Sequence, residues 1–233
     1  MPLTVAPGPP TARVMTIIAG DAQTALVGSA VAAAPSVQVS DTFGNLVAGL
    51  QVDFQVLAGG GAVTGASAIT NASGVATVGS WTFGATGGVP ANGLYSNQLI
   101  ATAQTAAGVT FNGSAYYSYT THVHPLWTAN GCLGCHGSAP GLGNLNLNGT
   151  ASSIYSTELF NVATSCAFGV GVLEVAPGGG ATAEANSLLM IKLDHNPALA
   201  TSPCTLGMPT AAPLPVAVRD VVRAWIRAGA PLN

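Results

Sequence analysis

The sequence predicts two domains of opposite class, an N-terminal all-β Ig-like sandwich and a C-terminal mostly α domain. Three observations predict this. Hydrophobic residues alternate with period two through the first half, between short Gly- and Asn-rich breaks. The second half has helical spacing: Tyr155, Leu159 and Val162, then Val218, Val221, Val222, Trp225 and Ile226. The reactive residues are also segregated. All four Cys, all four His and four of the five basic residues lie beyond residue 120.

Composition narrows the function. The 233 residues include only 5 Lys+Arg and 8 Asp+Glu, for a net charge of −3. That balance lacks the basic face a nucleic-acid partner requires and the polybasic cluster that binds acidic lipid. No apolar run reaches the roughly 18 residues of a membrane span. Recurrent Val, Ile, Leu and aromatic residues exclude a disordered chain.

Along the chain, residues 1–10 carry four Pro and read as a Pro-rich leader. No secretion signal is visible at Met1-Pro2-Leu3. The sandwich is expected over 11–118. Val14, Thr16 and Ile18 alternate with Met15 and Ile17. Val37 and Val39 mark a strand before the turn Asp41-Thr42-Phe43-Gly44-Asn45. Leu50, Val52, Phe54 and Val56 share one strand face opposite Gln51, Asp53 and Gln55. Further strands are expected within 74–83, 97–105 and 108–119. Asp21, Asp41 and Asp53 are too scattered to supply the roughly six to eight oxygens of a calcium site and read as turn formers.

Several strings in this half resemble the bacterial Ig-like domains of the invasin/intimin type. They are Gly20-Asp21-Ala22-Gln23-Thr24 with Val27-Gly28, Val39 to Gly49, Val52-Asp53-Phe54, Thr70 to Ala76, and Trp81-Thr82-Phe83-Gly84. The resemblance implies a spacer or docking module of an extracellular protein. The Thr86–Ser96 segment is longer than the family's usual turn, which makes it the place for a specialised contact.

The second domain is expected over 119–233. Its decisive string is Cys132-Leu133-Gly134-Cys135-His136, which reads as a c-type haem attachment site. Two thiols two residues apart reach the two vinyl groups of one porphyrin and form thioether links. The His that follows at once is placed as proximal ligand. A redox dithiol would sit on a βαβ pattern, which is missing, and half a zinc site would need a second close Cys/His pair. Met208, in the loop Gly207-Met208-Pro209 outside any periodic run, is the expected second axial ligand. His122, His124 and His195 are its competitors.

Pro125 to Asn130 opens a first helix, which the haem motif closes. Ser152 or Ser153 caps a second. A third spans about 183–193, and a last runs 216–228, with Arg219, Arg223 and Arg227 as a stripe and Gly229 as C-cap. The strings His124-Pro125-Leu126-Trp127, Cys132 to Gly137, Ser187-Leu188-Leu189, Gly207-Met208-Pro209 and Val222 to Ala230 resemble c-type cytochrome domains of secreted bacterial proteins. That resemblance implies one covalent haem c, His136 and Met208 as axial ligands, and electron transfer. The Gly-rich 167–182 loop departs from the pattern.

Because haem c matures outside the cytoplasm, where disulfides persist, Cys166 and Cys204 are expected to be bridged, with free buried thiols as the alternative. The whole chain is therefore expected to be an extracytoplasmic, non-enzymatic monohaem electron carrier with redox-protein partners. Low charge and open strand edges add the expectation of a homo-oligomer or filament. Two rivals are a haem enzyme or small-ligand binder with a displaceable distal ligand, and an adhesin with an accessory haem domain.

Overall fold

The structure, a computed structural model, describes residues 12–138, 145–160, 175–196 and 207–233. The leader, Cys166 and Cys204 lie outside the described residues. The chain divides into two compact units. The first runs to Gly87 and resumes over Tyr95–Ala115; the second comprises Gly88–Leu94 and Tyr116–Asn233.

The first unit is all β. Its strands are β1 (Arg13–Ala19), β2 (Gln23–Leu26), β3 (Ser36–Asp41), β4 (Gln51–Ala58), β5 (Ala62–Thr64), β6 (Ser67–Ile69), β7 (Val75–Thr77), β8 (Ser80–Thr82), β9 (Tyr95–Ala103) and β10 (Ala106–Tyr116). One hydrogen-bonded path runs β6-β4-β9-β10-β1-β3-β7, with β2 also on β10 and β5 paired to β8 apart from it. β1 meets β10 in parallel through a single pair, Arg13 with Ala106. The path folds there into two layers, and its ends β6 and β7 approach each other. The result is a nearly closed sandwich.

Period-two alternation places one side chain in two inside. Val37 and Val39, Val52 and Phe54, Leu99 and Ala101, and Phe111 are all buried. The Phe54 and Phe111 rings lie 6.4 Å apart across this core. In β1 the buried face is that of Met15, while Val14 and Ile18 face outward. The stretch expected as one strand over 74–83 is two. Between them Val78 N–H bonds to the Pro35 carbonyl and Gly79 N–H to the Thr64 carbonyl, so the chain leaves β3 for β5. Of the three Asp expected as turn formers, only Asp41 bonds within its own turn; Asp21 reaches across to β10 and Asp53 lies inside β4. Asp41 accepts from the N–H groups of Phe43 and Asn45, Asp21 from that of Asn112, and Asp53 from the Gln51 and Ser67 side chains.

The second unit is helical. It opens with a π-helical turn, Tyr119–Val123, and continues as α1 (His124–Ala129), with Pro125 in its first turn. Then come α2 (Leu133–His136), α3 (Ala151–Ile154), α4 (Gly180–Ala185), α5 (Leu188–Leu193) and α6 (Val216–Arg227). The cap of α3 is Thr150, whose Oγ1 accepts the Ser153 N–H, rather than Ser152 or Ser153. The helix expected over 183–193 is broken at Ser187, a fully buried residue. Its hydroxyl donates to the Ala183 carbonyl and accepts from the Ala176 N–H, which draws in an outside segment and ends α4.

The core gathers Tyr119, Val123, Trp127, Ile154, Leu189, Met190, Val222, Trp225 and Ile226. The C-terminal residues close it. Tyr119 N–H bonds to the Pro231 carbonyl, Trp225 Nε1 donates to the same carbonyl, and the Tyr155 hydroxyl donates to the Ala230 carbonyl. Arg219, Arg223 and Arg227 are half-buried in an ion-pair network. Arg223 donates to Glu184, to both oxygens of Asp194 and to Asp220; Arg219 pairs with Asp194; Arg227 pairs with Glu184. Three cations meet three carboxylates, and the network ties α4 and the end of α5 to α6. Arg227 also donates to the Val89 and Pro90 carbonyls, so the long segment flagged in the first half is built into this unit.

Candidate functional site

The motif residues sit where α1 ends. Cys132 N–H bonds to the Trp127 carbonyl, and the His136 N–H bonds to the Cys132 carbonyl at 3.0 Å. This single helical turn sets the two thiols and the imidazole along one short stretch. Cys132 is half-buried and packs on the core beside Leu133, while Cys135 is exposed. The two are not bridged to each other. Burial pushes the Cys132 thiol above its ordinary value, and the nearby Cys135 adds to the effect against a smaller opposing backbone hydrogen bond.

His136 is buried, at 7% exposure. Its Nδ1 lies 3.0 Å from the Leu145 carbonyl, and the Leu147 N–H returns a 2.7 Å bond to the His136 carbonyl. A carbonyl only accepts, so Nδ1 carries the proton and Nε2 keeps its lone pair. The second-sphere arrangement of metal-bound histidines is of this kind. Further bonds hold the clamp: Asn148 Nδ2 donates to the Gly137 carbonyl, and Glu158 accepts the Asn146 N–H. These backbone partners were not legible in the sequence, because any residue supplies a carbonyl.

Met208 is half-buried, and its N–H bonds to the Lys192 carbonyl at 2.9 Å. The competing histidines differ from one another. His122 Nδ1 accepts the Ser118 N–H at 3.0 Å, and His124 Nε2 lies 3.2 Å from the Gly149 carbonyl. Their rings pack edge-on against Tyr117 and Tyr119. His195 follows α5 in a left-handed conformation with φ 51°, and its Nε2 is buried without a hydrogen-bond partner among the described residues. The ring lies directly on Gly207, where a Cβ would overlap it.

The residues present fit a covalently held haem: two unbridged thiols at the motif spacing, an imidazole with a free Nε2, and soft and imidazole donors at Met208 and His195. Among the described residues no three His, Cys, Asp or Glu side chains gather into an ion site. That finding concerns ions held by side chains alone, whereas a haem iron takes its equatorial donors from the ring. No helix among the described residues is long and apolar enough to cross a membrane.

No protein family and no curated protein matches this chain. Solved structures do. The D00-D0 domain of intimin matches at 21% identity with TM-score 0.28, over 43% of this chain and 46% of that one. The Yersinia pseudotuberculosis adhesin InvE matches at 16% identity with TM-score 0.35, over 48% and 33%. A β-glucuronidase of Parabacteroides merdae matches at 15% with TM-score 0.31, over 48% and 13%. The chain thus spans less than half the length of each of these three structures.

Proposed function

We propose that the chain is an extracytoplasmic monohaem c-type cytochrome that carries electrons, with the β unit as spacer or docking module. The observation that carries this reading is the His136 ring, whose Nδ1–H donates to the Leu145 carbonyl and leaves Nε2 to serve as a ligand. Cys132 and Cys135 would hold the porphyrin as thioethers, with His136 and Met208 as axial ligands. Bound there, haem supplies a reversible one-electron ferric–ferrous couple.

The chain's own residues do the tuning. The Leu145 carbonyl fixes the imidazole orientation. Leu133 and the half-buried Cys132 place apolar matter at the attachment point. The Met208 thioether, a soft neutral donor, favours the ferrous state and holds the potential up. Cys166 and Cys204 would form the bridge that tethers the Met208 loop, four residues from Cys204. Closing about 39 residues is worth roughly 4 kcal/mol by chain entropy. Redox proteins are the partners of such a carrier.

An optical and magnetic spectrum of the purified protein tests the reading. A low-spin six-coordinate haem that survives denaturation is the expected result. A high-spin iron would move the assignment to a haem enzyme or small-ligand binder. A second reading, a surface-binding protein with an accessory haem domain, is favoured by Phe43, 75% exposed at the tip of its turn and followed by the exposed Leu46. If that turn binds a surface, Phe43→Ser with Leu46→Ser abolishes retention of the full chain on cells without altering the haem spectrum.

A further inference from the structure

We infer that His195 is a reserve distal ligand, which takes the iron when the Met208 sulfur is withdrawn. The inference rests on the haem reading above and names a donor that the reading does not use.

Three observations meet at this residue. Its Nε2 is buried with no hydrogen-bond partner among the described residues, a state that folded proteins rarely leave a polar atom in unless it faces an ion, a ligand or water. Its backbone is left-handed, at φ 51°, immediately after the last residue of the α5 cap, Asp194. Helix ends of this kind favour Gly, so an imidazole here is held against local preference. Its ring also lies on Gly207, the residue before Met208, and only the missing Cβ of Gly207 leaves room for it.

The surroundings hold this arrangement in place. Asp194 is gripped by Arg219 and by both oxygens' bonds to Arg223. The His195 N–H bonds to the Lys192 carbonyl, and the same carbonyl receives the Met208 N–H. One backbone oxygen thus fixes both the imidazole and the thioether segment. His122 and His124 are set against this role: His122 Nδ1 accepts the Ser118 N–H, which in the neutral ring puts the proton on Nε2, and His124 Nε2 faces the Gly149 carbonyl.

The exchange replaces an iron–sulfur bond with an iron–nitrogen bond. His195 Nε2 would donate its lone pair to the iron, and no electron would be transferred. Imidazole is the stronger donor to ferric iron, so the potential falls. The bulk at position 208 decides access, since Ala vacates the space and Leu fills it.

The test uses full-length protein matured with haem, in four forms: native, Met208→Ala, Met208→Leu, and Met208→Ala with His195→Gln. Attached haem is first scored by mass under denaturing conditions. Absence of haem in the native protein overturns the cytochrome reading and this inference with it. With haem attached, the inference expects low-spin ferric iron in Met208→Ala, without the near-infrared sulfur–iron band and at a lower potential. It expects high-spin iron in Met208→Leu and in the double variant. High-spin iron in Met208→Ala, or low-spin iron in the double variant, overturns the inference and leaves the cytochrome reading standing. Single His195→Gln should keep the native low-spin spectrum; if it turns high-spin, His195 is the resident ligand and not a reserve.

Discussion

At residue scale, the two motif cysteines are chemically unequal. Burial raises the Cys132 thiol, whereas Cys135 faces solvent. Thiolate is the reactive form, so haem-free protein treated with an alkylating agent near about pH 8 should label Cys135 several-fold faster than Cys132. Peptide mapping over time checks this; equal rates would mean that the Cys132 packing is absent in solution. In haem-loaded protein neither should label, and Cys132→Ala with Cys135→Ala should release the haem under denaturing conditions.

This level was the most legible in the sequence, for a chemical reason. Thioether attachment needs two thiols and an imidazole contiguous in the chain, so Cys132, Cys135 and His136 carry their own signature. What orients His136 carries none. The Leu145 carbonyl and the Leu147 N–H come from residues whose side chains say nothing of the bond. His195 shows the converse. Nothing in its neighbouring residues signals burial, yet contact with Gly207 covers its Nε2.

At the scale of elements, Ser187 marks the break between α4 and α5. Periodicity alone joined the two helices, because Ala183, Leu188 and Leu189 keep apolar spacing through the break. Ser187→Ala leaves the partly buried Ala176 N–H without its acceptor, which costs about 1 kcal/mol. Urea unfolding followed by tryptophan fluorescence should show the lower midpoint with an unchanged slope. Thr150 was overlooked as a cap because three hydroxyl residues stand in line; only backbone geometry selects the first. Thr150→Ala should cost about 1 kcal/mol.

The α6 stripe behaves similarly. Spacing placed Arg219, Arg223 and Arg227 on one face, but apart from Asp220 their carboxylate partners are 25 to 43 residues away. For Arg223, burial would by itself ease deprotonation. Hydrogen bonds and charge from Asp194 and Glu184 outweigh it and hold the guanidinium above its ordinary value. Arg223→Met removes the central cation but leaves Asp194 with Arg219 and Glu184 with Arg227, and should destabilise the helical unit by about 1 kcal/mol. Thermal melts of the two proteins measure the effect.

For the molecule as a whole, the helical unit closes around Tyr119, whose ring lies 5.4 Å from Trp225 and whose hydroxyl accepts from Trp127 Nε1. Burial pushes its phenol up to about 12, against a smaller opposing effect from Trp127. An unfolded tyrosine titrates near about 10. The folded state therefore holds this proton more tightly. The resulting stability is fully present below about pH 10 and is lost as pH rises toward 12. Base titration followed by tyrosinate absorbance and far-ultraviolet dichroism should show helix lost together with the late phenolate. The β unit's edges also bear on assembly. β6 and β7 are three residues each, so the described strands offer little template for edge-to-edge addition, and a filament would require other surfaces.

The sequence by itself determined the β or helical class of each half, the alternating β core and the contiguity of Cys132, Cys135 and His136. Those depend on local periodicity and on reactive groups adjacent in the chain. Tertiary structure alone decided the rest: the fold of the β path at one Arg13–Ala106 pair, the incorporation of Gly88–Leu94 into the helical unit, and the setting of His195 against Gly207. Each of these joins positions far apart in the chain or depends on a backbone carbonyl or a missing Cβ. Such contacts leave no periodic or compositional trace, because their energy arises only once distant segments are packed together.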